Sequence, residues 1–166
     1  MSKQAHTVGP PRAGSYVDPR GPRFGAWITV LVLVAVLLTS SGWLIAAQTA
    51  VFATGAIFGL AKAPYGLIFR SFVRPRLDAP VELEAQAPPR FAQGLGAGFG
   101  LIATIGFAIG IPGLGLVFTG FALVAALLNA AFGICLGCEV YLFARRLAGR
   151  ESIARFVPAP RQVVSA

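Results

Sequence analysis

Four stretches of this chain, 24–39, 44–60, 91–111 and 114–136, contain no charged side chain at all. A helix needs about 20 apolar residues to cross the hydrocarbon of a bilayer. Within it, every backbone N–H and C=O must be satisfied by the segment itself. The runs are continuous rather than alternating, which disfavours barrel strands. Composition agrees, because a chain that is 56% hydrophobic and 12% charged cannot give a soluble domain its polar shell. The expectation is an all-α membrane protein with four transmembrane helices, at about 24–41, 43–62, 91–111 and 114–144. The first run follows a polar arm and leads into a second across Ser40-Ser41-Gly42. It therefore reads as a span and not as a cleaved signal.

Charge predicts the orientation. The 14 Lys and Arg fall in three places. Lys3, Arg12, Arg20 and Arg23 precede the first helix. Lys62, Arg70, Arg74, Arg76 and Arg90 lie between the second and third. Arg145, Arg146, Arg150, Arg155 and Arg161 follow the fourth. The turns near Ser40–Gly42 and Gly110–Leu114 carry none. Cations are retained on the cytoplasmic side, so the expectation is a multi-pass protein of the inner (cell) membrane with both termini and the central loop 63–90 in the cytoplasm. The net charge of +8 hugs helix ends, where it meets anionic headgroups. The expected partner is the lipid bilayer, and nucleic acid is not. Trp27 and Trp43 suit the two interfaces of the first span.

The chain also resembles itself. GPRFGAW at 21–27 and PPRFAQG at 88–94 each open a pair of helices. AIFGLAKAPYGLIFR at 56–70 aligns with AAFGICLGCEVYLFARR at 130–146, so that Phe58-Gly59 matches Phe132-Gly133 and Tyr65 matches Tyr141. Two similar hairpins, related as a parallel repeat, are expected. In the central loop, PYGLIFRSFVRPRL has apolar residues at 65, 68, 69, 72 and 73 with Arg70 and Arg74 opposite, the pattern of a short interfacial helix ended by Pro75. DAPVELEAQAPP at 78–89 reads as solvated and irregular. The arm 1–23 and the tail 147–166 read as flexible, flanking a membrane domain at 24–146. The glycines of the third run are spaced for close helix packing, within the chain or against a second copy in a homo-oligomer. With no strand before them they form no nucleotide loop, and no cofactor is identified. Gln48 and Asn129 are expected to bond each other or a backbone carbonyl.

The two cysteines, Cys135 and Cys138, stand at i and i+3 with Glu139 beside them. The repeat places them at the cytoplasmic end of the fourth helix, where the helix dipole opposes a thiolate. Lys62 occupies the matching depth of the other half and is the candidate to offset this, with Glu139 as proton acceptor. Three uses of the pair are open: thiol–disulfide or sulfur relay, a copper site on Cys135 and Cys138, or a structural role in an accessory subunit. The only histidine, His6, lies in the arm.

DPRGPRF, PYGLIFRSFVRPRL, PPRFAQ and NAAFGICLGCEVYLFARR occur in that order. Together they resemble the bacterial membrane family catalogued as domain of unknown function 4395. The resemblance implies about four helices and a C-x-x-C pair at Cys135 and Cys138. It also implies a thioredoxin-like or sulfurtransferase partner, and so favours redox or sulfur relay over a purely structural pair.

Overall fold

The computed structural model describes residues 16–150 and 154–159. His6 and the other residues of the arm before Tyr16 lie outside it. The chain is mainly helical. α1 (Arg20–Thr39) and α2 (Gly42–Phe58) are joined by a turn in which Ser40 takes the left-handed conformation and Ser41 caps α2 by accepting the Leu44 N–H at 3.3 Å. α4 (Ala87–Ala108) and α5 (Pro112–Phe132) form the second long pair. Between the pairs, α3 (Pro64–Ile68) continues through a π turn at Phe69–Val73 and a 3₁₀ turn at Arg74–Arg76. This is the short helical segment expected in the loop, with Phe69 turned inward and Phe72 outward.

α1, α4 and α5 are long and apolar enough to cross a membrane; α2 is apolar but has 17 residues. The packing is that of a protein whose solvent is lipid. The buried core is built from Leu33, Val36, Ile45, Ala103 and Ala122, while Leu38, Trp43, Ile57, Phe121 and Phe132 face outward. Small residues let the backbones close on one another. A side chain on Gly96 would meet the Phe52 ring at 3.2 Å, and one on Gly106 the Gly115 backbone at 2.8 Å. α2 packs chiefly on α4 and α1 chiefly on α5, whereas α1 and α2 touch each other lightly.

Four expectations need correction. The segment 78–89 is not irregular, because β2 (Glu82–Ala85) pairs antiparallel with β1 (Tyr16–Val17) on one side and β3 (Phe156–Pro158) on the other. Its partners come from the far ends of the chain, so local composition could not reveal them. For the same reason the described part of the arm and of the tail is ordered, through β1, Asp18 and β3. The single helix expected at 114–144 is two: α5 stops at Phe132, and α6 (Leu136–Leu147) starts afresh. Gly133 at φ 71° ends α5 in the left-handed conformation that glycine adopts without strain. Finally, Gln48 does not meet Asn129. It donates to Thr29 Oγ1 at 3.4 Å and accepts from the Tyr65 hydroxyl at 2.6 Å.

Candidate functional site: a disulfide at the start of a helix

The break between α5 and α6 changes the chemistry of the cysteines. Cys135 is the N-cap residue of α6, and its sulfur accepts the backbone N–H of Cys138 at 3.3 Å. The dipole argument made from the sequence is therefore reversed. The pair sits at the positive end of a helix, which favours a thiolate. Cys135 and Cys138 are joined as a disulfide with Cα atoms 5.2 Å apart. Cys138 is 0% exposed and Cys135 7%, so Cys135 is the sulfur nearer to solvent. Gly137, between them, lets α6 lie on α4: a side chain there would come within 2.6 Å of the Cα of Ala92.

Cys135 and Cys138 both line a cavity of about 310 Å³. Arg20 and Arg23 enter it from the start of α1, Glu82 and Glu84 from β2, Arg155 from the residue before β3, and Asn129 from α5. Arg155 holds the tail over the site, with its Nε 2.9 Å from Glu84 Oε1 and its Nη1 3.1 Å from Glu139 Oε1. Burial raises the Glu84 carboxyl above its ordinary value, and the Arg155 guanidinium only partly offsets this. The side chain of Glu139 is 60% exposed. Lys62 is exposed in the turn after α2 and does not line the cavity. The structure thus brings Cys135, Cys138 and, through Arg155, Glu139 together, and leaves Lys62 outside.

Sequence reasoning missed Arg23, Glu84 and Arg155. For Arg23 a signal existed in the repeat. Arg23 Nη2 donates to the carbonyls of Ala130 and Ala131 at the end of α5, both at 3.4 Å. Arg90, its repeat counterpart, donates to the carbonyls of Ala56 and Ile57 at the end of α2, at 2.8–3.2 Å. Each arginine thus satisfies the orphan carbonyls of a helix belonging to the other pair. Glu84 and Arg155 gave no such sign, being joined only by the sheet.

Among the described residues no group of three or more His, Cys, Asp or Glu is arranged to hold a metal ion.

The family model described as domain of unknown function (DUF4395) matches residues 17–146. No curated protein and no solved structure matches the chain.

Proposed function

The chain belongs to the domain of unknown function (DUF4395) family, and from that premise we propose that it is a thiol–disulfide exchange protein working at the cytoplasmic edge of the inner membrane. The observation that carries the reading is Cys135 at the N-cap of α6 with the Cys138 N–H on its sulfur. A hydrogen bond and a helix dipole that both favour negative charge on one sulfur, beside a second sulfur that is buried, are what a nucleophilic and a resolving cysteine require.

In the reduced protein, the Cys135 thiolate attacks a disulfide of a partner protein of the thioredoxin-like class. A bond forms between Cys135 Sγ and one partner sulfur, and the other leaves as a thiolate. Cys138 gives its proton to Glu84, the buried carboxyl of the same cavity. Its thiolate then attacks Cys135 Sγ, which closes the Cys135–Cys138 disulfide and releases the second partner thiolate. Two electrons have passed to the partner, whose disulfide has become a dithiol. The reverse sequence oxidises a partner dithiol, and relative potentials set the direction. Glu139 serves through Arg155, which it shares with Glu84.

The placement is part of the proposal. α2 joins the three long helices to make four spans, arranged as two similar hairpins. The reciprocal arginine bonds and the pairing of β1 with β2 support that arrangement. All described Lys and Arg then stand at one end, which the retention of cations puts in the cytoplasm.

The test is trapping. Cys138→Ser removes the resolving sulfur, so mixed disulfides with cytosolic proteins accumulate through Cys135 and disappear on reduction. Cys135→Ser serves as the control. Equal, background-level capture by both variants, together with a doubly substituted strain no more sensitive to oxidants than wild type, would leave an accessory membrane subunit as the better reading.

A further inference from the structure

The cavity at the sulfurs contains three guanidinium groups, and two of them are already neutralised. Arg20 is paired with Asp18 at 2.9 Å, and Arg155 is shared by Glu84 and Glu139. Arg23 has no carboxylate partner among the described residues. Among the described residues its bonds are those to the Ala130 and Ala131 carbonyls, both long. Its Cζ lies 4.0 Å from the position a side chain on Gly133 would take, two residues before Cys135. A cation without a counter-ion among the described residues therefore stands at the junction of α5 and α6, in the cavity lined by Cys135 and Cys138.

The geometry points to Arg23 as the positioning residue that sets the reactivity of Cys135, the role the sequence had assigned to Lys62. A positive charge near a thiol favours its thiolate, and at short range in a partly buried site it moves the titration by about one to three pH units. The charged and polar groups around the cavity that Cys135 lines come from several elements, and Asp18 with Arg74 joins them through Arg20. Arg20 and Arg23 come from α1, Glu82 and Glu84 from β2, Arg155 from the tail, Asn129 from α5, and Glu139 from α6 itself. Asp18 neutralises Arg20, Glu84 and Glu139 share Arg155, and Glu82 opposes ionisation, so Arg23 is the attractive charge that no carboxylate among the described residues offsets.

The fold supplies its own control. Arg90 makes the same pair of bonds at the end of α2, where the chain continues as Gly59-Leu60-Ala61 and no sulfur follows. Loss of either arginine removes a helix cap, but only loss of Arg23 removes a charge from the cysteines.

The inference deepens the exchange reading, on which its biological use rests, although the coupling itself is measured on this chain alone. The full chain carrying Cys138→Ser, reduced in detergent or nanodiscs, is alkylated with iodoacetamide across pH so that Cys135 alone reports. With Arg23→Gln the midpoint rises by about one pH unit, slowing alkylation below that midpoint up to about tenfold. With Arg90→Gln and with Lys62→Ala the profile stays on that of the parent, although Arg90→Gln lowers the melting temperature. Arg23→Lys retains charge but bonds the two carbonyls less well. It melts early with a near-parental midpoint, and covers the case in which the glutamine variant does not fold.

Coincident profiles for Arg23→Gln and Arg90→Gln overturn the inference, as does an upward shift in Arg23→Lys as large as a full unit. If Arg23→Gln shifts the profile while Cys138→Ser traps no partner, the exchange reading fails and the coupling stands. Trapping without the shift has the opposite meaning.

Discussion

Glu84 lies in a strand whose sequence, acidic and flanked by prolines, promises exposure, yet its side chain is buried against Arg155. Its carboxyl titrates above the 4.5 of a free glutamate, chiefly because burial penalises the charged form. A raised folded-state value means that the folded chain holds the proton more tightly than the unfolded one. Glu84 therefore costs stability increasingly as pH rises from about 4.5 through its folded value. Each pH unit of that shift is worth about 1.4 kcal/mol. Glu84→Gln should accordingly gain on wild type in thermal melts as pH goes from 4.5 to 7; parallel melting curves across that range would contradict it. Asp18 behaves in the opposite sense. Burial opposes its ionisation, but the hydrogen bonds from the Arg20 side chain and N–H, with the charges of Arg20 and Arg74, outweigh burial and hold it below 3.8. Its contribution is present above about pH 4 and lost as pH falls through the folded value. Asp18→Asn should thus be destabilising at pH 7, with a deficit that shrinks as pH falls below about 4, as read by the same melts.

At the scale of elements, the decisive feature is three residues long. Gly133, Ile134 and Cys135 separate α5 from α6 and turn a helix end into a helix start. The left-handed Gly133 costs nothing as glycine, but with a Cβ it would cost about 1–2 kcal/mol. Gly137 acts differently, through contact with Ala92. Gly137→Ala forces α6 away from α4, with an overpacking cost of about 1–3 kcal/mol. It should also displace Cys138 and slow reoxidation of the pair, measured by alkylation after a reductant pulse. Gly98→Ala and Gly120→Ala, where a side chain would meet nothing within 4 Å, should leave both melting and reoxidation as they are. Equal damage from all three substitutions would show that the contact at Ala92 is not the cause.

Across the whole molecule, α1 packs chiefly on α5 and α2 on α4, so each helix of the first pair finds its main neighbour in the second. Arg23 and Arg90 tie each first helix to the end of the other second helix, while β1 and β2 join in front of them. The cationic end and the sulfurs therefore share one side, opposite the turn where a side chain on Gly42 would meet Phe107 at 3.2 Å. On a background with both cysteines replaced by serine, Ser40→Cys should react with a membrane-impermeant maleimide in intact spheroplasts. Ser71→Cys should react only after permeabilisation. The reverse pattern would invert the orientation and place the exchange site outside the cytoplasm.

The helical membrane class, the C-x-x-C motif and the self-resemblance are legible in the residues, because each rests on local properties. Charge-free length decides whether a segment suits lipid, and spacing along one helix decides which atoms are close. The Phe-Gly match at 58–59 and 132–133 even contained the helix break, since a glycine that ends one helix in a repeat is well placed to end its counterpart. What local pattern could not contain is the sheet drawn from both ends of the chain, the burial of Glu84 beneath Arg155, and the exchange of Lys62 for Arg23 as the cation near the sulfurs. Those depend on residues as far apart as 23 and 131 meeting across the bundle. Electrostatics acts through space, and only the packed helices determine which charges are near enough to matter.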